Sequence, residues 1–414
     1  MSRRSAISGI LLGAALLGGF ALWNRLSPRG TAHSVAPAAS AGKAPQADPY
    51  VSSASPEDPF RGLRSDNREE RLRSAHELHR LLRDSPELLS RTIASLEDPS
   101  TSLSLRQMLA VVLGTLRHPE ARLALTRLLR SSPPPELERT LLLALGARES
   151  DDGDLFRRDG QPYAMEAAPG LVVFVSGSIP NDEERSEILR ALRESPWSAS
   201  RLAAARVLRD SLEFQEVRGT LLDGLTTEPD AEVRSEAAAA LCSWTREVPI
   251  HDAERAVTLA RLLDVAARTD EIVRFRLIAP ISSTPLAPDE MLRLRALAVD
   301  SQWDTRRFAV EVLGRRITED SETVRLLAGA VLVDPSPAVR EAAALALGRV
   351  AGSVTETLAA ALGRDPDWEV RAAAARSLGR AGDSAAARKA LETAAVADPH
   401  PDVRGVAAEI LKIR

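Results

Sequence analysis

The chain is poor in residue types that many folds and chemistries depend on. Cysteine occurs once in 414 residues, as Cys242, so no internal disulfide can form. The histidines His33, His76, His79, His118, His251 and His400 are scattered, so no compact four-ligand zinc motif can be drawn from Cys and His. Aromatic residues make up 3% of the chain, which argues against an all-β fold, because sandwich and barrel strands draw on Tyr, Phe and Trp. Lysine is confined to Lys43, Lys389 and Lys412, so basic charge is almost all arginine. A basic excess is missing as well: the net charge of −4 leaves no electrostatic footprint for nucleic acid. What is present, 44% hydrophobic and 27% charged residues, suffices for a core. The length suits two or three domains or one repetitive array.

The N-terminus carries a separate signal. Residues 1–5 are basic (Arg3, Arg4), and an uncharged run extends from Ala6 to Trp23. Such a run spans about 27 Å as a helix, close to the roughly 30 Å hydrocarbon core. Ile7, Ile10, Leu11, Leu12, Leu16, Leu17, Phe20 and Leu22 together favour insertion by on the order of 2–5 kcal/mol, partly offset by glycines. The expectation is a transmembrane anchor over 6–23, single-pass in a bacterial inner membrane, with the bulk of the chain periplasmic. Secretion after signal cleavage is the alternative. Ala36-Pro37-Ala38 and Ala39-Ser40-Ala41 fit a cleavage site but lie far beyond the run, past Arg25 and Arg29. Gly9 and Gly13 form a Gly-x-x-x-Gly face for weak self-association. Residues 24–59 shift to Ala, Pro and Ser and read as a disordered linker, because they cannot bury enough surface to offset their ordering entropy.

The remaining chain repeats itself. Asp334-Pro335 precedes Val339-Arg340, Asp365-Pro366 precedes Val370-Arg371, and Asp398-Pro399 precedes Val403-Arg404. In each, arginine follows aspartate by six residues and an alanine-rich run comes next. The first two close with Leu347-Gly348 and Leu378-Gly379. Weaker copies centre on Arg306 (with Asp300), Arg274, Arg234, Arg201, Arg139, Arg106 and Arg71. Spacings are 31 to 40 residues, except for 62 between Arg139 and Arg201, where a unit is missing, degenerate or interrupted. Within a unit, Val339, Ala343, Ala346, Leu347 and Val350 share one helical face. Asp-Pro ends the preceding helix, and the closing glycine loosens a helix end or admits a close neighbour. The pattern predicts an all-α fold: a right-handed solenoid of about ten stacked helical hairpins, with repeats over 60–148 and 181–414 and an insertion or degenerate repeat at 149–180. Thin Ala/Leu hairpins packed closely account for the missing aromatics, and stacking supplies the stability that no single unit has.

On these residues the chain resembles the HEAT-repeat superfamily, and specifically the subtype named after phycobilisome lyases, whose signature is Asp-Pro-x-x-x-Val-Arg-x-x-Ala-x-x-x-Leu-Gly. The resemblance covers about residues 60–414 and is strong from 300 onward. It implies a hydrogen-bonded ladder between units, carried here by Asp300, Arg306, Asp334, Arg340, Asp365, Arg371, Asp398 and Arg404.

Some relatives by resemblance are enzymes. Deoxyhypusine hydroxylase holds two irons with His-Glu pairs at the start of inner helices, where this chain has Arg340-Glu341, Arg371-Ala372 and Arg404-Gly405. The one His-Glu pair, His76-Glu77, falls later in its repeat. His76 and His79 share a helical face without a third ligand. Cys242 sits among Ala237–Leu241 as a buried thiol rather than a nucleophile for His251. No catalytic, metal or cofactor site is expected. Asp151, Asp152 and Asp154 lack the downstream pattern of a calcium loop.

Two features point to a protein partner. The break in the repeats contains Leu171-Val172-Val173-Phe174-Val175, a β-type run. It is either a recognition loop offering Phe174 or a strand packed on neighbouring helices. Three residues before the repeat arginines stand Trp303, Pro337, Trp368 and Pro401. Trp303 and Trp368 are either interface anchors or helix-start staples. The expected function is a membrane-tethered scaffold for protein partners. The alternatives are an enzyme resembling bilin lyases or metal-dependent hydroxylases, and a passive structural component of the envelope.

Overall fold

Helix starts in the chain are written in short polar residues. Asn67, Ser85, Asp230, Asp252, Asp270, Asp367 and Ser384 each accept from an amide of the following first turn, and Asn181 forms a reciprocal capping box with Glu184. Proline follows Ser85 at Pro86 and opens other helices at Pro119, Pro135, Pro288 and Pro337, where its missing N–H costs nothing.

The computed structural model describes residues 58–413 except 117, 149–163, 176–178, 318–319, 351–353 and 382–383. The anchor expected over 6–23, with Gly9 and Gly13, and all but the last two residues of the linker expected over 24–59 lie outside the described residues, as do residues 149–163 of the insertion expected over 149–180. Among the described residues no helix is long and apolar enough to cross a membrane.

The first five helices are α1 (Arg68–Asp84), α2 (Pro86–Glu97), α3 (Leu103–Leu116), α4 (Pro119–Arg130) and α5 (Pro135–Leu145). Strands β1 (Ala164–Ala168) and β2 (Leu171–Phe174) follow as an antiparallel hairpin. Next come α6 (Asp182–Glu194), α7 (Ser198–Val207), α8 (Gln215–Thr227), α9 (Ala231–Glu247), α10 (Ala253–Arg268), α11 (Glu271–Ser283) and α12 (Pro288–Leu297). The last seven are α13 (Trp303–Arg316), α14 (Ser321–Val333), α15 (Pro337–Leu347), α16 (Thr355–Arg364), α17 (Trp368–Arg380), α18 (Ala385–Ala397) and α19 (Pro401–Ile413).

The odd-numbered helices pack neighbour on neighbour from α1 to α19 and form one layer, and the even-numbered helices form the other. Each repeat arginine, from Arg71 to Arg404, falls on its own odd-numbered helix. The 62-residue gap is therefore not a lost unit. α5 packs directly on α7, and the hairpin and α6 lie between them in sequence only. Among the described residues the fold is helical apart from that hairpin, whose second strand falls on the β-type run read in the sequence.

The core runs between the layers. Val339, Ala343, Ala346 and Leu347 are buried, matching their shared helical face. Glycines let the odd-numbered helices approach closely. A Cβ on Gly348 would lie 2.7 Å from the Ser377 side chain of the next repeat, and one on Gly146 2.5 Å from Val207. Gly314 meets Ala346 in the same way. The even-numbered layer is looser: Gly224, Gly329 and Gly363 face open space. Grooves of about 510 and 580 Å³ run beside α8 and between α16 and α18.

The hairpin turns at Pro169-Gly170, where Gly170 has φ of 79°, the left-handed conformation a type II turn requires. Leu171, Val172, Val173 and Val175 are buried, and the strands pack on α3 and α5. The Thr140 hydroxyl donates to Ala167 O at 2.6 Å, Arg139 Nη2 to Glu166 O at 2.9 Å and Arg71 Nε to Pro169 O at 3.2 Å. Arg206 Nη1 approaches Met165 Sδ at 3.7 Å. The hairpin thus lies across α1, α3, α5 and α7, on the side turned away from the even-numbered layer. We term this side the far face.

Candidate functional site

The repeat arginines build a set of rungs. Arg306 Nε and Nη2 donate to the Asp334 carboxylate at 2.7 and 2.8 Å. Arg340 binds Asp365 at 2.8 and 3.0 Å, and Arg371 binds Asp398 at 2.8 and 3.0 Å. The remaining Nη1 folds back onto the carbonyl six residues earlier: Arg306 to Asp300 O, Arg340 to Asp334 O and Arg371 to Asp365 O, each at 2.9 Å. Arg404 does the same to Asp398 O at 2.7 Å. The six-residue spacing therefore has a cause. One guanidinium closes its own turn and clamps the acid of the next repeat, using both edges of a planar fork. The acids in turn cap the following amides, as Asp334 does for Ser336 N at 2.9 Å.

The electrostatics follow. Burial pushes Asp334 and Asp398 up, but the arginines and backbone amides outweigh it and hold both carboxyls below the usual range. Hydrogen bonds donated to the partner aspartates raise Arg306, Arg340 and Arg371 in step.

Three rungs depart from the Asp-Pro pattern, one of them joining Arg234 to Asp270, which no proline follows. Asp300 caps Gln302 N at 2.8 Å, while Arg274 reaches past it to Asp304 at 3.0 Å. Arg201 grips Glu228 at 2.7 and 2.9 Å. Glu228 precedes Pro229 and stands six residues before Arg234, so a Glu-Pro search would have found it. Further towards the N-terminus the arginines bind carbonyls instead: Arg106 Nε donates to Leu96 O at 2.8 Å and Arg71 Nη1 to Ser65 O at 2.8 Å.

The far face is defined by register. On α5 the residue after the arginine, Thr140, bonds the hairpin; on α7 the residue five after the arginine, Arg206, contacts it. One, five and nine residues after each arginine therefore mark the far-face stripe. On α3 and α5 this stripe lies under the hairpin. On α11 it is Phe275, Ala279 and Ser283. Phe275 is 65% exposed and Ile272 60%. Trp303, which begins the neighbouring stripe on α13, is 51% exposed. Phe275 and Ile272 carry no sequence motif and become visible only once the register of the stack is known.

The other two candidate partner residues are placed differently. Trp368 is half-buried and stacks on His400 of the next repeat, with ring centroids 4.1 Å apart and planes at 14°. Phe174 is half-buried on β2, its carbonyl accepting from Arg148 N at 2.8 Å. Cys242 is fully buried, and burial pushes its thiol up to about 12, so it holds its proton at neutral pH. His79 is buried in α1, and His76 lies 2.8 Å from Leu72 O. Among the described residues no three His, Cys, Asp or Glu side chains are grouped to hold a metal.

Two layers of helices joined by inter-repeat rungs define an α-solenoid. Residues 291–356 and 332–412 match the family model of HEAT repeats. No curated protein matches the chain. Among solved structures it is similar to Kap121p, at 12% identity and a TM-score of 0.51, over 85% of this chain and 44% of that one. It is also similar to importin beta, at 16% identity and a TM-score of 0.49, over 86% and 50% of the two chains. A third likeness is the HEAT-like repeats protein of the archaeon Thermococcus onnurineus NA1, at 18% identity and a TM-score of 0.34, over 55% and 96%. The chain thus spans about half the length of importin beta. Residues 291–412 carry HEAT repeats.

Proposed function

We propose that this protein is a membrane-tethered scaffold, of the phycobilisome-lyase-like subtype of HEAT proteins, that binds a protein partner on its far face. Residues 6–23 anchor it in a bacterial inner membrane, and residues 24–59 let the periplasmic solenoid reach its partner. The observation that carries the reading is the open apolar surface of α11 and α13. A helix that is apolar all round belongs in a core. α11 has Val273, Leu277, Ile278 and Ile281 buried on one side, yet Ile272 and Phe275 stand exposed on the other. Trp303 beside them adds a residue type that dominates binding energy at interfaces.

The test is proximity labelling by the full chain in its native membrane, comparing wild type with Ile272→Ser/Phe275→Ser/Trp303→Ser. The expected result is loss of the labelled partners with unchanged helicity. An unchanged partner set would overturn the proposal.

A further inference from the structure

The far face changes character along the stack. At the stripe positions of α13, α15 and α17 stand Arg307, Glu311 and Arg315, then Glu341, Leu345 and Arg349, then Ala372, Arg376 and Arg380. That is five arginines against two glutamates, in a chain whose net charge is −4. Arg307 spends its charge locally on Glu311, at 2.9 Å. Arg315, Arg349 and Arg380 close the stripe in three successive repeats, and all three are exposed. Arg349 Nη1 donates to Gly314 O at 2.8 Å across the repeat boundary. No ion pair with a carboxylate forms at these three arginines among the described residues. Each stands at the C-terminal end of an odd-numbered helix, whose dipole offsets about half a charge. About half a positive charge per repeat is left over.

A groove of about 200 Å³ joins two of them. It runs between α13 and α15 over Ala342, Leu345 and Ala346, with Arg315 and Arg349 at one end, and Glu311 and Glu341 also line it beside Arg307. Burial, followed by repulsion from Arg315 and Arg380, holds Arg349 below its ordinary value, the signature of like charges set side by side.

We propose that the far face of α13, α15 and α17 is a docking track for an extended acidic segment of the partner protein, with carboxylates three residues apart. This rests on the scaffold reading above and names the chemistry of its partner. The spacing follows from the repeat. Helices packed through small residues stand about 8–10 Å apart, and three residues of extended chain cover about 10 Å. Carboxylates at i, i+3 and i+6 therefore meet the arginines of successive repeats, each guanidinium presenting the fork that suits a carboxylate. The apolar floor takes a small side chain between them. A nucleic acid is disfavoured, because the chain as a whole carries net negative charge.

The test is fluorescence anisotropy on the full chain in detergent. One labelled peptide carries three aspartates at every third position in an Ala/Ser background, and a second has the same composition with the aspartates contiguous. The spaced peptide is expected to bind at least about tenfold more tightly and to weaken as salt rises. Arg349→Ala should reduce its affinity about tenfold or more. Arg380→Ala, which removes no described hydrogen bond, should reduce it several-fold with helicity unchanged. Equal affinity for the two peptides, absence of binding, or binding that survives Arg315→Ala/Arg349→Ala/Arg380→Ala overturns the proposal. So does tighter binding to phosphatidylglycerol vesicles or inorganic phosphate that those substitutions abolish. Ile272, Phe275 and Trp303 lie outside the three arginines, so partner labelling that depends on them stands or falls independently.

Discussion

Helices α3 and α11 share a property and differ in what was done with it. Both are apolar on two sides. In α3 nearly every residue from Leu105 to Thr115 is buried, because the even-numbered layer covers one side and the β-hairpin the other. In α11 the second side is open, and Ile272 and Phe275 face solvent. The N-terminal repeats thus complete their own core with a segment inserted in the chain, whereas the central repeats leave an equivalent surface unfilled. Contiguous apolar surface held exposed on a folded protein is costly to solubility, which is why we propose α11 as an interaction site.

The comparison can be broken most directly by truncation. Leu171→Ala/Val173→Ala removes buried atoms from the hairpin and should cost at least about 4 kcal/mol in urea unfolding of the full chain. Ile272→Ala/Phe275→Ala removes as much apolar surface from α11 and should cost less than about 1 kcal/mol. Similar losses from the two pairs would show that α11 is packed as α3 is.

The rungs sharpen the same contrast. Arg371→Ala strands the buried Asp398 carboxylate and should cost about 3–5 kcal/mol. Arg106→Ala leaves only the Leu96 carbonyl without its donor and should cost about 1–3 kcal/mol. If the urea midpoints reverse that order, carboxylate rungs are not what holds the C-terminal repeats.

The smallest effect is a pH dependence, carried in the C-terminal repeats by the rung acids. Asp334 and Asp398 are held below the unfolded carboxylate value. Their contribution is therefore complete above about pH 4 and lost as pH falls through their folded values. Glu341 runs the other way: burial, with Glu369 nearby, raises it. Between its unfolded and folded values the native state binds more protons, so stability falls as pH rises through that window. Glu341→Gln should therefore gain up to about 1 kcal/mol at neutral pH and nothing at pH 4. A loss at neutral pH would mean that its carboxylate is paired.

Much of this architecture was legible in the sequence. Asp-Pro followed by Val-Arg fixes both the turn and the arginine that returns to it, so the order of the repeats could be read from Arg71 to Arg404. Glu228 was hidden because glutamate stands where aspartate was sought. The insertion could be read as a strand, but no pattern in Leu171–Val175 says that it covers α3 and α5. Trp303 and Trp368 occupy one register position and meet different neighbours. The residue four before the next arginine is His400 for Trp368, which stacks on it, and Ser336 for Trp303, which offers no ring. The arginine row of the far face needs the stack itself, because its members lie about 30 residues apart in sequence and about 10 Å apart in space.

The close glycine contacts belong to the odd-numbered layer, while Gly224, Gly329 and Gly363 of the even-numbered one meet no neighbour. The solenoid is therefore built like a hinged strip with an inextensible seam. Spreading the odd-numbered helices must pull apart Gly348 from Ser377 and Arg340 from Asp365, whereas spreading the even-numbered ones breaks exposed ion pairs such as Arg130–Glu183, Arg261–Asp223 and Arg293–Asp264, which solvent and salt already weaken. Curvature can change while the repeat distance along the seam is held. A partner laid along the far face would then meet contact points at constant spacing however the protein bends.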